Sequence, residues 1–314
     1  MTYFEAEQEA VRALRAAGVP DADIDAGMLL TYAGGMNRAG LLTERNSPIP
    51  DPVLMHYREL TGRRIKREPL QYIFGTWEFM GLDFEVSPAC LIPRQDTELL
   101  VLKAYEAYRG LNKGACCDGN KDGCAPAEPR AELNCRLLDI CTGSGCVIIS
   151  LAKLIADDRS PKIYFEGTDI SEEALELAGR NAARHGTDIH FHGSDMFGTL
   201  DCEGAEYDII TANPPYIETD EIKKLNPELW EYEPMVALDG GKDGLRPYRT
   251  IAEEAPTHLK PDGVLLMEIG DTQGQQVKAL MEQAGFGQVT IHKDLAGLDR
   301  VVECRGKASL TPTS

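Results

Sequence analysis

The chain has 314 residues, of which 43% are hydrophobic and 26% charged, and its formal net charge is −19 (32 Lys and Arg against 51 Asp and Glu). Such values belong to a folded globular protein of about two domains and exclude a disordered chain, a collagen-like chain and a disulfide mini-protein. An acidic surface of this size disfavours non-specific binding of nucleic acid, which needs a basic footprint, but it does not exclude a basic protein partner.

The opening residues, MTYFEAEQEA, are acidic where a targeting signal would be basic. The best apolar stretch, 147–155, is broken by Lys153 and too short to span a bilayer. Nine cysteines in a long chain point to free thiols in a reducing compartment. A cytoplasmic protein without membrane contact is therefore expected.

Residues 1–67 carry apolar side chains at helical spacing: Phe4, Val11, Leu14 and Ala17, then Ile24, Met28, Leu29 and Leu30 after Pro20, then Val53, Leu54, Tyr57 and Leu60 after Pro52. Three helices are expected. The edge formed by Arg63, Arg64, Lys66 and Arg67 is basic in an acidic chain. It is either a solvated helix end or a surface that meets an acidic partner. Between 70 and 93 the period changes to two, with Leu82, Phe84 and Val86 alternating with Asp83 and Glu85, which predicts a β-hairpin. A helix follows from Thr97.

Residues 110–135 lose all periodicity and gather Cys116, Cys117, Cys124 and Cys135. Asp118, Asn120 and Asp122 match the start of a calcium loop, but the closing position is Pro129, and the cysteines lack paired knuckle spacing for zinc. No metal is expected, and the segment is a flexible surface insertion. From Leu137 onward strands and helices alternate: strands 137–140, 163–168, 190–192, 207–212, 263–269, 288–291 and 300–304, with helices at 147–156 and 171–185. That alternation predicts an α/β sheet with helices on both faces.

Two places on this sheet carry chemistry. The turn Asp139, Ile140, Cys141, Thr142, Gly143, Ser144, Gly145 lies between a strand and a helix, where backbone amides approach a ligand. Asp169 ends the next strand and can accept from ribose hydroxyls; capping of the next helix is the alternative, but Ser171 can supply that cap. Asp195 and Met196 follow the third strand, placed to meet an adenine amino group and to pack on its ring. Asn213, Pro214, Pro215 and Tyr216 then end a buried strand. Proline fixes φ and offers a carbonyl without a competing N–H. The Asn213 oxygen and the Pro214 carbonyl can thus hold both hydrogens of a planar –NH2 group, with Tyr216 covering the plane. This is catalysis by positioning and dipoles.

At this point the chain resembles the S-adenosylmethionine-dependent N5-glutamine methyltransferases of class I peptide chain release factors. The resemblance runs through PLQYI (69–73), FMGLDF (79–84), LIPRQDTE (91–98), the 139–145 turn, Asp169, Ser194-Asp195, NPPYI (213–217), Glu233-Pro234, ALDGGKDGL (237–245), Glu268 to Gly270, and Asp294 to Arg300. It implies a helical substrate-docking domain over 1–67, a β-hairpin connector over 68–93, and a seven-stranded Rossmann-like methyltransferase domain over 94–314. It further implies S-adenosylmethionine as cofactor and a release factor as protein substrate, with the enzyme a monomer making no direct contact with nucleic acid. The glutamine of a Gly-Gly-Gln loop would be held by Asn213 and Pro214, with Pro215, Tyr216, Leu91, Arg94 and Glu98 on the substrate side. The cofactor would meet Asp139, Cys141, Thr142, Gly143, Ser144, Gly145, Asp169, Asp195 and Met196. Two residues depart from the pattern: Gln95 stands where the family has proline, and Cys141 where it has glycine, which fits if its φ stays negative. The competing readings are a glutamine methyltransferase of a ribosomal protein, disfavoured by Asp96-Thr97-Glu98, an adenine-N6 nucleic-acid methyltransferase, disfavoured by the charge, and a catalytically silent binding module, disfavoured by the intact motifs.

Overall fold

The structure is a computed structural model and describes residues 1–113, 135–156, 163–198, 200 and 207–307. Most of the segment anticipated as a Cys-rich insertion, 114–134, lies outside the described residues.

The N-terminal region folds as four helices, one more than the periodicity suggests: α1 (Tyr3–Ala16), α2 (Ala22–Gly34), α3 (Arg38–Glu44) and α4 (Asp51–Ile65). Thr2 starts α1 with a capping box, in which Glu5 N–H donates to Thr2 Oγ1 and Thr2 N–H donates back to the Glu5 carboxylate. Leu14, Leu29, Leu30, Tyr57 and Leu60 close a small apolar core between these helices. Tyr57, fully buried, satisfies its hydroxyl by donating to Ala26 O at 3.1 Å.

The basic edge at the end of α4 is in large part paired within the chain, while Lys66 stays exposed. Arg64 is buried and donates to Asp25 at 2.7 Å and to Glu228 at 2.9 Å. Arg67 makes a two-pronged contact with the same Glu228 at 2.6 Å, and Arg63 holds Glu68 at 2.5 Å. Tyr232 OH donates to Lys66 O at 2.5 Å. Guanidinium geometry suits such paired contacts with one carboxylate.

The connector is shorter in strand than anticipated. Residues 70–74 form a helical turn, α5 (Leu70–Phe74), and the hairpin proper is β1 (Thr76–Phe79) with β2 (Leu82–Glu85), paired from Thr76↔Glu85 to Phe79↔Leu82. Irregular chain then leads to a 3-10 turn at Gln95–Thr97 and α6 (Glu98–Lys113).

The remaining elements are β3 (Cys135–Ile140), α7 (Cys146–Ile155), β4 (Ile163–Asp169), α8 (Glu172–His185), β5 (His190–Gly193), β6 (Tyr207–Ala212), β7 (Ile217–Glu218), α9 (Pro227–Trp230), α10 (Met235–Leu238), β8 (Asp239–Gly241), α11 (Arg246–His258), β9 (Leu259–Glu268), α12 (Gly274–Gln283), β10 (Phe286–Lys293) and β11 (Asp299–Lys307). Seven strands join in the order β10-β11-β9-β6-β3-β4-β5. All are parallel except β11, which runs antiparallel to both neighbours. The central strands read as continuous apolar runs because helices cover both faces; α7 is buried from Val147 to Ala152. The chain turns outward in both directions from β3, so the crevice between β4 and β6 opens at the strands' C-terminal ends. No described helix is long and apolar enough to cross a membrane.

Removing one partner of the buried Asp25–Arg64–Glu228 cluster leaves uncompensated charge. Arg64→Ala is expected to destabilise the protein by about 3–5 kcal/mol in urea unfolding. An unchanged unfolding midpoint would contradict the pairing.

Candidate active site

A cavity of about 480 Å³ occupies the crevice, a size suited to a nucleoside-scale ligand (roughly 300–1,000 Å³). Its wall includes Leu91 and Arg94 from the connector, Asp139, Cys141, Thr142, Gly143 and Ser144 after β3, and Asp169 after β4. Asp195 and Met196 after β5, and Asn213 and Pro215 after β6, complete it. Twelve residues singled out in the sequence are thereby brought to one space.

The turn after β3 is held by carboxylates at both ends. Asp139, 1% exposed, accepts from Thr142 Oγ1 and from Thr211 Oγ1, each at 2.7 Å. Asp169 accepts from Gly143 N–H at 2.8 Å and from Ser171 N–H at 2.9 Å. Ser171 itself caps α8 by accepting from Ala174 N–H, so Asp169 is not that helix's cap. A carboxylate has about four acceptor positions, and Asp169 keeps part of that capacity toward the cavity. Gly145 has a different task. It does not line the cavity; at φ +78° it packs against α7 and α8, where a Cβ would meet Ile149 at 2.9 Å and Ala178 at 3.3 Å. Cys141 departs from expectation, for its φ is +56° rather than negative. A non-glycine residue in this region carries about 1–2 kcal/mol of strain. Its sulfur sits 3.6 Å from that of Met196, which has φ +53°.

Asn213 is oriented from behind: its Nδ2 donates to Thr97 Oγ1 at 3.3 Å. The turn that follows is buttressed by glycines and an amide. Gln273 Nε2 donates to Tyr216 O at 2.9 Å and Gly244 O at 3.3 Å. Gly244 comes so close that a Cβ would lie 2.5 Å from Tyr216 O, which explains the third glycine of the 237–245 motif. β7 and β8 pair across this contact.

Four anticipated residues do not line the cavity. Glu98 faces the hairpin, accepting from Met80 N–H at 3.4 Å. Pro214 is buried beneath the turn and Gly145 beneath the helices. The Tyr216 ring packs against the core cluster of the sheet instead of covering the cavity. Conversely, Glu233 and Glu268 were not singled out as site residues, although both lie in segments that carry the resemblance. Glu233, buried, pairs with Arg94 and accepts from Ile92 N–H at 3.4 Å, fixing the cavity wall. Glu268 is buried behind Thr97 beside Arg300. Only its place in the EIG tripeptide at the end of a strand marked Glu268 beforehand.

Burial dominates the electrostatics. It pushes the Asp139 and Glu268 carboxyls up to about 7, against the stabilising threonine hydroxyls. It also raises Asp169, opposed by backbone donors. The Cys90, Cys141 and Cys146 thiols are raised too, so these cysteines are unreactive.

Residues 5–75 match the family described as PrmC N-terminal domain, and residues 131–303 match the family described as Methyltransferase domain. A release factor glutamine methyltransferase of Geobacter sulfurreducens is 40% identical over 285 residues, covering 91% of this chain and 90% of its own. One from Thermodesulfovibrio yellowstonii is 37% identical, covering 81% and 82%. Among solved structures, the hMettl16 catalytic domain in complex with a MAT2A 3'UTR hairpin superposes with a TM-score of 0.52 at 16% identity over 84% of each chain, a likeness of fold alone.

The Asp139 carboxyl binds its proton more tightly in the folded chain, at about 7, than in the unfolded one, at about 3.9. Between those values the folded state holds more protons, so this group lowers stability as pH rises. Asp139→Asn is expected to gain stability relative to wild type from about pH 4 to about pH 7 and to keep a constant gap above. Parallel curves in chemical denaturation would contradict this.

Proposed function

Because the chain belongs to the release factor glutamine methyltransferase family, we propose that it transfers a methyl group from S-adenosylmethionine to the side-chain amide nitrogen of the Gly-Gly-Gln glutamine in class I peptide chain release factors. The observation that carries this reading is Asn213 at the cavity edge, its Nδ2 committed to Thr97 and its Oδ1 used by no hydrogen bond among the described residues.

The residues present fit the methyl donor. Asp139, Asp169 and Asp195 gather at one end of the cavity, favourable surroundings for a cation. Asp169 has acceptor capacity for ribose hydroxyls, and Asp195 is exposed to the space beside Met196. When bound, S-adenosylmethionine supplies an electrophilic methyl group on a positively charged sulfur. Asn213 Oδ1 accepts from an N–H of the substrate amide and fixes the plane of its nitrogen. This contact favours the positive charge that develops on the nitrogen as the N–C bond forms and the bond from the methyl group to sulfur breaks, and the nitrogen's surplus proton then passes to water. Arg94, clamped by Glu233, and Leu91 form the wall against which the glutamine loop rests. Tyr216 serves through its backbone, anchored by Gln273, rather than by stacking. The helical domain of α1–α4 docks the release factor. It does so without Arg63, Arg64 and Arg67, which are paired within the chain.

Asn213→Ala is expected to fold and bind S-adenosylmethionine but to lose about 10²–10³ in turnover on a purified release factor. Wild-type turnover would overturn the role. Asp169→Ala is expected to weaken S-adenosylmethionine by about 1–3 kcal/mol in calorimetry; unchanged affinity would restrict Asp169 to shaping the turn.

A further inference from the structure

We infer that Asn181, on the buried face of α8, is the positioning residue that sets the glycine turn after β3 against the connector and thereby fixes the affinity for the methyl donor. The inference rests on the reading of the cavity as a site for S-adenosylmethionine.

Asn181 is 0% exposed, and its side-chain amide meets the backbone of two segments far apart in sequence. Its Oδ1 accepts from Glu85 N–H at 2.8 Å, and its Nδ2 donates to Glu85 O at 3.1 Å and to Ser144 O at 3.0 Å. An N–H only donates and a carbonyl only accepts, so these partners admit one orientation of the amide. Both Nδ2 hydrogens are spent, one on each segment. Toward Glu85, the last residue of β2, Asn181 does what a neighbouring strand would do. Toward Ser144 its effect is on the cavity, which Ser144 lines. The Ser144 carbonyl belongs to the peptide whose other end, Gly145 N–H, donates to Thr142 O at 2.9 Å. Gly143 N–H is held by Asp169 at 2.8 Å. The peptide groups before Gly143 and after Ser144 are thus both pinned, the second of them by Asn181.

The rest of the inner face of α8 serves the same two segments. Ala174, Leu177, Ala178 and Asn181 are buried and recur at i, i+3, i+4 and i+7, which makes one stripe. Ala174 and Leu177 pack on Cys90 of the connector. On the other side, a Cβ at Gly145 would lie 3.3 Å from that of Ala178, and one at Gly143 would lie 3.7 Å from that of Cys90. Turn and connector therefore share one seat, and Cys90 leads directly into Leu91 and Arg94 of the cavity wall. At the rim of the seat, Arg180 holds the Glu85 carboxylate at 2.8 Å. Apolar contacts set the spacing between these segments, whereas directional hydrogen bonds set their register. Asn181 supplies those bonds from within the stripe. Asparagine is a poor helix former, so α8 itself gives no reason for it there. The backbone groups that it joins do.

The test is calorimetric titration of the full-length protein with S-adenosylmethionine, at a temperature where thermal unfolding shows every variant folded. Asn181→Leu, close to asparagine in size, removes all three hydrogen bonds and is expected to raise the Kd about tenfold. The shorter Asn181→Ser, which leaves room for water, keeps the question decidable where Asn181→Leu does not fold; it is expected to raise the Kd at least about threefold. Tyr57→Phe is the comparison for lost stability alone. It removes the buried bond to Ala26 O in the helical domain and is expected to lower the melting midpoint with the Kd unchanged. In turnover of a purified release factor, the Asn181 variants are expected to lose more through the KM for S-adenosylmethionine than through kcat. A wild-type Kd in the folded Asn181 variants would overturn the inference, as would a loss confined to kcat. An equal weakening in Tyr57→Phe would make the effect one of stability and overturn it too. Wild type separates the levels: if it binds S-adenosylmethionine and the Asn181 variants bind equally well, the inference alone fails, and if wild type does not bind, the reading of the cavity fails with it.

Discussion

The carboxylate of Asp139, shut away from water at the end of β3, accepts from Thr142 on the glycine turn and from Thr211 on β6. These two hydrogen bonds tie together strands whose ends form different halves of the cavity wall. One half is the turn and the Asp169 carboxylate, which the proposed reading assigns to the methyl donor. The other is the strand that ends in Asn213, which the proposed reading assigns to the substrate amide. In-line transfer between two bound molecules tolerates little relative displacement. A fully satisfied polar link in a low-dielectric interior is a stiff way to hold two strand ends in register. The parallel sheet supplies the coarse alignment; Asp139 supplies the fine one.

A second constraint acts on the protein substrate. The segment from Asn226 to Ala237 touches the helical domain, Arg94 and the cavity. Glu228 receives Arg64 and Arg67 from the helical domain, and Tyr232 donates to Lys66 O. Glu233 holds Arg94 of the connector, while Pro234 and Ala237 line the cavity. The helical domain is thereby fixed to the site by buried ion pairs rather than by a flexible linker. Buried ion pairs of this type contribute orientation more than net stability. That is the property needed when a protein is held at one place and modified at another.

Local chemistry was enough to find many of the residues that line the cavity. A strand followed by glycines, an acid at the next strand end, and Asn-Pro-Pro-Tyr after a buried run each act within a few residues of themselves. What escaped was chemistry made by distant partners. The basic run at 63–67 looked like a surface because Glu228 lies 161 residues from Arg67. Thr97 and Asn213 are 116 residues apart, and nothing in either segment announces the other. The antiparallel β11 and the helical turn at 70–74 were also invisible, since both follow from pairing and packing rather than from period. Cys141 shows the opposite limit: its left-handed backbone is imposed by the fold on a residue that does not prefer it.

The account is tested most directly by incubating the protein with a purified class I release factor and S-adenosylmethionine, measuring the intact mass of the release factor, and locating the change by fragmentation. One added methyl group on the glutamine of the Gly-Gly-Gln loop is the predicted result. An unmodified glutamine there, with S-adenosylmethionine bound to the protein, would contradict the assignment of the Asn213 acceptors to that substrate.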